Sequence, residues 1–286
     1  MTEFLMYLTN GIVIGIIYAI SALGVTLIVG IMKVVNFAHG ELYVFAGYFS
    51  YYLSISLGLP PLLAMPLSVF LIFLVGLLME KTLIRPTYGD DMYSLIVTFI
   101  LSIVLQNLAL LVFGPYPNKP PNIISGATNV FGLFYYGNQR LLSFFISLAV
   151  LFFIFYLIKR TWFGKSIRAV SQDREMAAHM GVDQSRINML SFGLGAALAG
   201  TAGVILSPIF PVTPSGSAAI SLTAFVVVVL GGMGSLKGCI FGGLILGIIE
   251  NLGAAYISTM YRGIFAFILL ILILVFRPWG LYGQKA

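Results

Sequence analysis

Three polar residues stand together at the head of an apolar run: Asn36, His39 and Glu41, in NFAHGELYVFAGY. An amide, an imidazole and a carboxylate at this spacing can cap a helix, pass a proton or contact a partner. A metal ion would need a further convergent ligand, so no metal site is expected. Catalysis would need a nucleophile beside them, and the segment has none. Two readings stay open. In one, Asn36 caps the following helix and Glu41 favours its dipole. In the other, the segment is a gate or a contact to a partner, placed at the edge where the run begins.

Glu250 and Asn251 form a second polar pair, inside the apolar run Cys239 to Ile257. An ionisable group within such a run marks a pathway by default. It can equally be a buried carboxyl bonded to another helix, with Gln106 and Asn107 as the expected partners. Those two amides read as glue between helices. A third candidate is the turn Gly231, Gly232, Gly234 in GGMGSLKG, which breaks a helix and offers unwound backbone to a pathway.

The largest polar feature is the stretch from Lys159 to Leu190, KRTWFGKSIRAVSQDREMAAHMGVDQSRINML. It carries six cations and three acids in a chain that is 60% hydrophobic and 8% charged. Its apolar residues, from Ile167 to Met180, fall at helical spacing. It is expected to form two short helices, with Gly181 ending one and Asp183 or Ser185 capping the next. Physical chemistry alone leaves two readings: an amphipathic segment at the headgroups, or a helix that docks on a soluble partner.

These residues must be positioned by membrane helices. About 25% charged residues is normal for a soluble domain, so the solvent of this chain is lipid. Runs near 20 apolar residues give about nine crossings, with eight to ten allowed because short glycine-broken runs can be half-helices. The expected fold is all-α: a polytopic transmembrane helical bundle. A cation-rich loop belongs inside. That map places Lys33, Lys81, Arg85, the six loop cations, Lys237, Arg277 and Lys285 inside, against Lys119, Arg140 and Arg262 outside. The N-terminus is then outside and the C-terminus cytoplasmic. MTEFLMYLTN has no cation, unlike a cleaved secretion signal, and is expected to be retained.

The net charge of +6 follows from this sidedness rather than from nucleic acid, since aromatics do not interleave with basic clusters. The single cysteine, Cys239, excludes an internal disulfide and reads as a small packed residue. The glycines from Gly193 to Gly203 and from Gly231 to Gly247 allow close helix packing. Segments Gly30–Tyr48 and Gly231–Gly247 share the outline of a diverged repeat.

EMAAHMG, with Glu175 and Gly181 six apart, resembles the EAA-xxx-G motif of ABC-importer permeases, although Met176 replaces an alanine. GKSIRAVSQDREMAAHMGVDQSRIN resembles the cytoplasmic loop of the branched-chain amino-acid permease family. NFAHGELYVFAGY and VLGGMGSLKGCIFGGLILG match further blocks of that family, in order, over essentially the whole chain. The likeness is greatest to the shorter of the two paired permeases of high-affinity leucine, isoleucine and valine import.

That resemblance implies a single permease domain over residues 1–286 with a coupling loop at 159–190. Gly164, Arg168, Asp173, Glu175, Ala178 and Gly181 would carry the coupling. The implied partners are a homologous second permease, two ATP-binding cassette subunits and an external substrate-binding protein, in a bacterial cytoplasmic membrane. No G-x-x-x-x-G-K-[ST] loop is present, so the chain is read as no enzyme and as holding no cofactor of its own; ATP and Mg would sit on partner subunits. Two alternatives remain: a urea or short-amide importer of related build, and an ion-coupled carrier using Glu250 or Glu41.

Overall fold

The computed structural model describes residues 2–130, 132 and 134–283. Lys285, assigned above to the inner side, lies outside them. The described chain is a bundle of helices: α1 (Thr2–Met32), α2 (His39–Ile55), α3 (Pro61–Met79), α4 (Asp91–Phe113), α5 (Asn138–Arg160), α6 (Trp162–Gln172), α7 (Arg174–His179), α8 (Gln184–Leu206), α9 (Ser217–Gly231), α10 (Leu236–Tyr256) and α11 (Arg262–Phe276). Eight helical stretches are long and apolar enough to cross a bilayer. With the 17-residue α2 they match the expected nine, and the chain is a multi-pass membrane protein.

The apolar stretches become helices because lipid cannot satisfy a free backbone, so each segment must bond internally. Their packing follows residue size. α1 is buried along most of its length and lies against α10 and α8. Glycine makes this approach possible: a Cβ on Gly15 would lie 2.7 Å from the Gly243 carbonyl oxygen. α4 and α11 are the opposite case, with little of either span buried within the chain.

One end of the bundle carries α6 and α7, here called the loop end. The other carries a feature that an all-helical expectation leaves out. Within residues 114–140, β1 (Ala127–Val130) pairs antiparallel with β2 (Phe134–Gly137). Arg140 ties this hairpin end to α1 by donating to Asn10 Oδ1 at 2.5 Å.

Past Met79, α3 continues through a π turn (Glu80–Ile84) and a 3-10 turn (Arg85–Thr87). Glu80 is fully buried there, accepting from Arg85 Nη2 at 2.9 Å and from the Tyr88 hydroxyl at 2.6 Å. Burial and that carboxylate push the Tyr88 hydroxyl well above the ordinary tyrosine range.

Candidate functional site

α2 and α9 do not start at the edges of the bundle. α2, at about 26 Å by helix rise, falls short of a hydrocarbon core of about 30 Å, and α9 reaches spanning length only with the 3-10 turn Pro214–Gly216 before it. His39, at the start of α2, sits against Ser21 of α1, with Nε2 3.0 Å from the Ser21 carbonyl oxygen and 3.3 Å from its hydroxyl. Ser21 lies about 16 Å along α1 from Met32. Glu41 accepts from the Ser102 hydroxyl at 3.0 Å, midway along α4. Asn36, His39 and Glu41 are therefore all buried in the middle of the bundle, not at its edge. The chain reaches this depth through residues 33–38, which run back into the bundle beside α4; Thr98 donates to the Val35 carbonyl at 3.0 Å.

The local capping also differs from expectation. Asn36 accepts from the Ala38 amide at 3.0 Å, one turn ahead of the helix, while the cap position is Ala38. α9 approaches from the opposite side. The Gly40 amide donates to Ser221 Oγ at 2.8 Å, and that hydroxyl donates to the Phe37 carbonyl at 3.2 Å. Two helix N-termini thus meet inside the bundle. Residues 33–38 lead into α2 and 207–216 into α9. Gly30–Tyr48 and Gly231–Gly247 each hold a helix end, a short break (33–38 and 232–235) and the start of the next helix, α2 and α10.

Glu250 does not pair with Gln106 or Asn107. It is buried near the hairpin end of α10, where Oε2 accepts from the Tyr18 hydroxyl at 2.9 Å and from Arg262 Nε at 3.4 Å. Arg262 also lies over the Phe210 ring, 5.5 Å from its centre. Gln106 and Asn107 are elsewhere, on the outward-facing helix α4; Asn107 donates back to the Ile103 carbonyl at 2.8 Å. Asn251 likewise bonds its own helix, donating to the Gly247 carbonyl at 2.8 Å.

The glycine turn is covered by the chain's own end. Gly231 and Gly232 are buried, with Gly232 at φ +98° and Gly234 at φ +84°. The Leu281 amide donates to the Leu230 carbonyl at 2.9 Å, and the Tyr282 amide to the Gly231 carbonyl at 3.0 Å. These bonds occupy the Leu230 and Gly231 carbonyls, while Gly234 is exposed. Cys239 is packed as expected, 2.8 Å from the Thr26 hydroxyl.

At the loop end the two short helices form as the sequence indicates. Asp173 caps α7 by accepting from the Met176 amide at 3.0 Å. Gly181 follows α7 at φ +83°, and its amide bonds the Ala178 carbonyl. Asp183 caps α8, accepting from Arg186 N–H at 3.1 Å. Apart from Asp173, the candidate coupling residues divide into two groups. Gly164 and Arg168 bond within the chain: buried Gly164 donates its N–H to Thr161 Oγ1 at 3.1 Å, and Arg168, though exposed, donates to the Ile158 carbonyl at the end of α5. Arg174 adds a second anchor, donating to the Ile31 carbonyl at the end of α1 at 2.7 Å. Sequence reasoning placed Arg174 in the loop without that role, because its partner is 143 residues away.

Glu175, Ala178 and Gly181 face outward. Beside them Met176 is 57% exposed and Met180 80% exposed. Two methionines flanking a free carboxylate on a fixed helix form a small apolar surface with one charge. Ala177 alone of this helix is buried.

The geometry has counterparts. The family described as "Branched-chain amino acid transport system / permease component" matches residues 7–274. The high-affinity branched-chain amino acid transport system permease protein LivH of Escherichia coli K12 is 34% identical, covering 98% of this chain and 96% of the relative. The permease protein LivM of the same system in that organism is 26% identical, covering 93% of this chain and 67% of the relative. Among solved structures, PsaBC from Streptococcus pneumoniae in complex with Fab shares the fold at TM-score 0.55 and 16% identity, covering 98% of this chain and 97% of that one.

Proposed function

The chain belongs to the family of branched-chain amino acid transport permease components, and from that premise we propose that it passes aliphatic amino acids inward as the membrane subunit of an ABC importer. The loop end is cytoplasmic, the N-terminus lies outside, and the membrane is a bacterial inner membrane. A second, related permease completes the pore. LivH and LivM support this reading, since one organism has both in one system and both resemble this chain. Two ATP-binding cassette subunits bind ATP and Mg and dock on α7. An external binding protein delivers substrate to the hairpin end.

The observation that carries the proposal is the build of α6 and α7. Arg168 and Arg174 lock this unit to the ends of α5 and α1. A push on its exposed face is therefore passed to the two spans rather than absorbed by a loose loop. Met176 and Met180 give that face adaptable apolar contact, and Glu175 gives it a charge to orient the partner.

The test is Glu175→Lys in proteoliposomes containing the whole complex. The expected result is a complex that still inserts and hydrolyses ATP but no longer couples hydrolysis to uptake. Unchanged ATP-driven uptake would remove α7 from the docking role.

A further inference from the structure

Outside the coupling unit, Glu250, Arg262 and Tyr18 have no role yet. They line a cavity of about 340 Å³ in the hairpin-end half of the bundle. Its wall takes residues from α1, α2, α8, α9, α10 and the start of α11. A carboxylate and a guanidinium share one side, 3.4 Å apart. Much of the remaining lining is aliphatic or aromatic, including Ile17, Leu206 and Ile220.

We infer that this cavity is a binding site for the zwitterion of an aliphatic α-amino acid, with Glu250 receiving the ammonium group, Arg262 the carboxylate, and the apolar wall the side chain. The inference rests on the importer reading and names a place for its substrate within this chain.

Three observations support it. First, an ion pair in a cavity wall is an expensive way to tie two helices, because both charges must leave water. A ligand carrying one charge of each sign complements both members at once. Second, the pair is held in position. Tyr18 and Arg262 both bond Oε2 of Glu250, so Oε1 takes neither bond. Arg262 is braced over Phe210 and its side chain keeps 30% exposure. Third, Gly216, Ala219 and Ile220 at the start of α9 form part of the wall. A helix N-terminus there adds a second attraction for a carboxylate. The volume suits the ligand: nine heavy atoms at no more than about 30 Å³ each, the liquid share of a whole water molecule, need at most about 270 Å³.

The test uses the whole complex in nanodiscs, without the external binding protein and without ATP. Three probes are titrated: leucine, isoamylamine (leucine without its carboxylate) and isocaproate (leucine without its amine). Leucine is expected to bind saturably at millimolar or lower concentration, about tenfold or more tighter than either analogue. Glu250→Gln should weaken leucine and isoamylamine but leave isocaproate unchanged. Arg262→Gln should weaken leucine and isocaproate but leave isoamylamine unchanged.

Equal loss of all three ligands in either variant would assign the pair a purely structural role and overturn the inference. So would absence of saturable leucine binding to the wild-type complex. If a variant fails to assemble, the comparison of the three ligands on wild-type protein still decides: equal binding overturns the site. ATP-driven uptake by the same preparation, measured with the binding protein present, keeps the two claims apart. Uptake without leucine selectivity in the cavity refutes the site and leaves the importer; no uptake and no bound ATPase refutes the importer.

Discussion

The Gly40 amide donates to the Ser221 hydroxyl at 2.8 Å, joining two helices that both begin inside the bundle. A Cβ on Gly40 would lie 2.5 Å from that hydroxyl and closer still to the Ser217 carbonyl oxygen. The first turn of α2 therefore accepts only glycine there. Gly40→Ala should destabilise the chain by about 1–3 kcal/mol, the usual cost of overpacking. The midpoint of thermal aggregation in detergent should fall, and Ser221→Ala, which relieves only part of the crowding, should not restore it fully. An unchanged midpoint for Gly40→Ala would mean that α2 and α9 do not meet as described.

The two arginine anchors should be separable from docking. Arg174→Ala removes a charged hydrogen bond to the Ile31 carbonyl, worth about 1.5–3 kcal/mol. Hydrogen exchange over residues 173–183 should speed up while the spans stay protected. Uptake should fall with little change in ATP hydrolysis. Equal exchange in the variant and the parent would mean that Arg174 does not fasten α7 to α1.

Sidedness is open to direct labelling. Cys239 is fully buried, so the parent chain should be silent to an impermeant thiol reagent. A cysteine at the exposed position Asn129, in the hairpin, should label from outside the cell. A cysteine in place of Met180, 80% exposed beside α7, should label only after the membrane is opened. The reverse pattern would invert the topology and move the docking surface to the wrong face.

Much of this architecture was legible in the residues. Apolar run length gave the number of crossings, because lipid leaves a spanning backbone little choice but helix. The loop helices were legible because Gly181 and Asp183 are local signals, each capping a helix within three residues of itself; the equally local Asp173 cap of α7 was not read. Depth was not legible. The run after Asn36 is equally apolar whether it starts at the membrane edge or its middle, and long-range contacts, His39 with Ser21 and Glu41 with Ser102, separate the two. The partners of Glu250 were missed for a related reason. Tyr18 is 232 residues away, and Arg262 belongs to what reads as a surface turn. The hairpin was missed because its four-residue strands carry no periodic signal in a segment rich in Pro, Gly and Asn.

The source of energy tests the account most directly. The complex, purified through a tag on this chain, should carry an ATP-binding cassette subunit and import leucine into proteoliposomes only when that subunit is supplied with ATP. Collapsing the pH gradient should leave this uptake unchanged, and Glu250→Gln should keep it dependent on ATP. Purification of the chain without any ATPase, together with uptake driven by a pH gradient alone and abolished by Glu250→Gln, would contradict the importer reading.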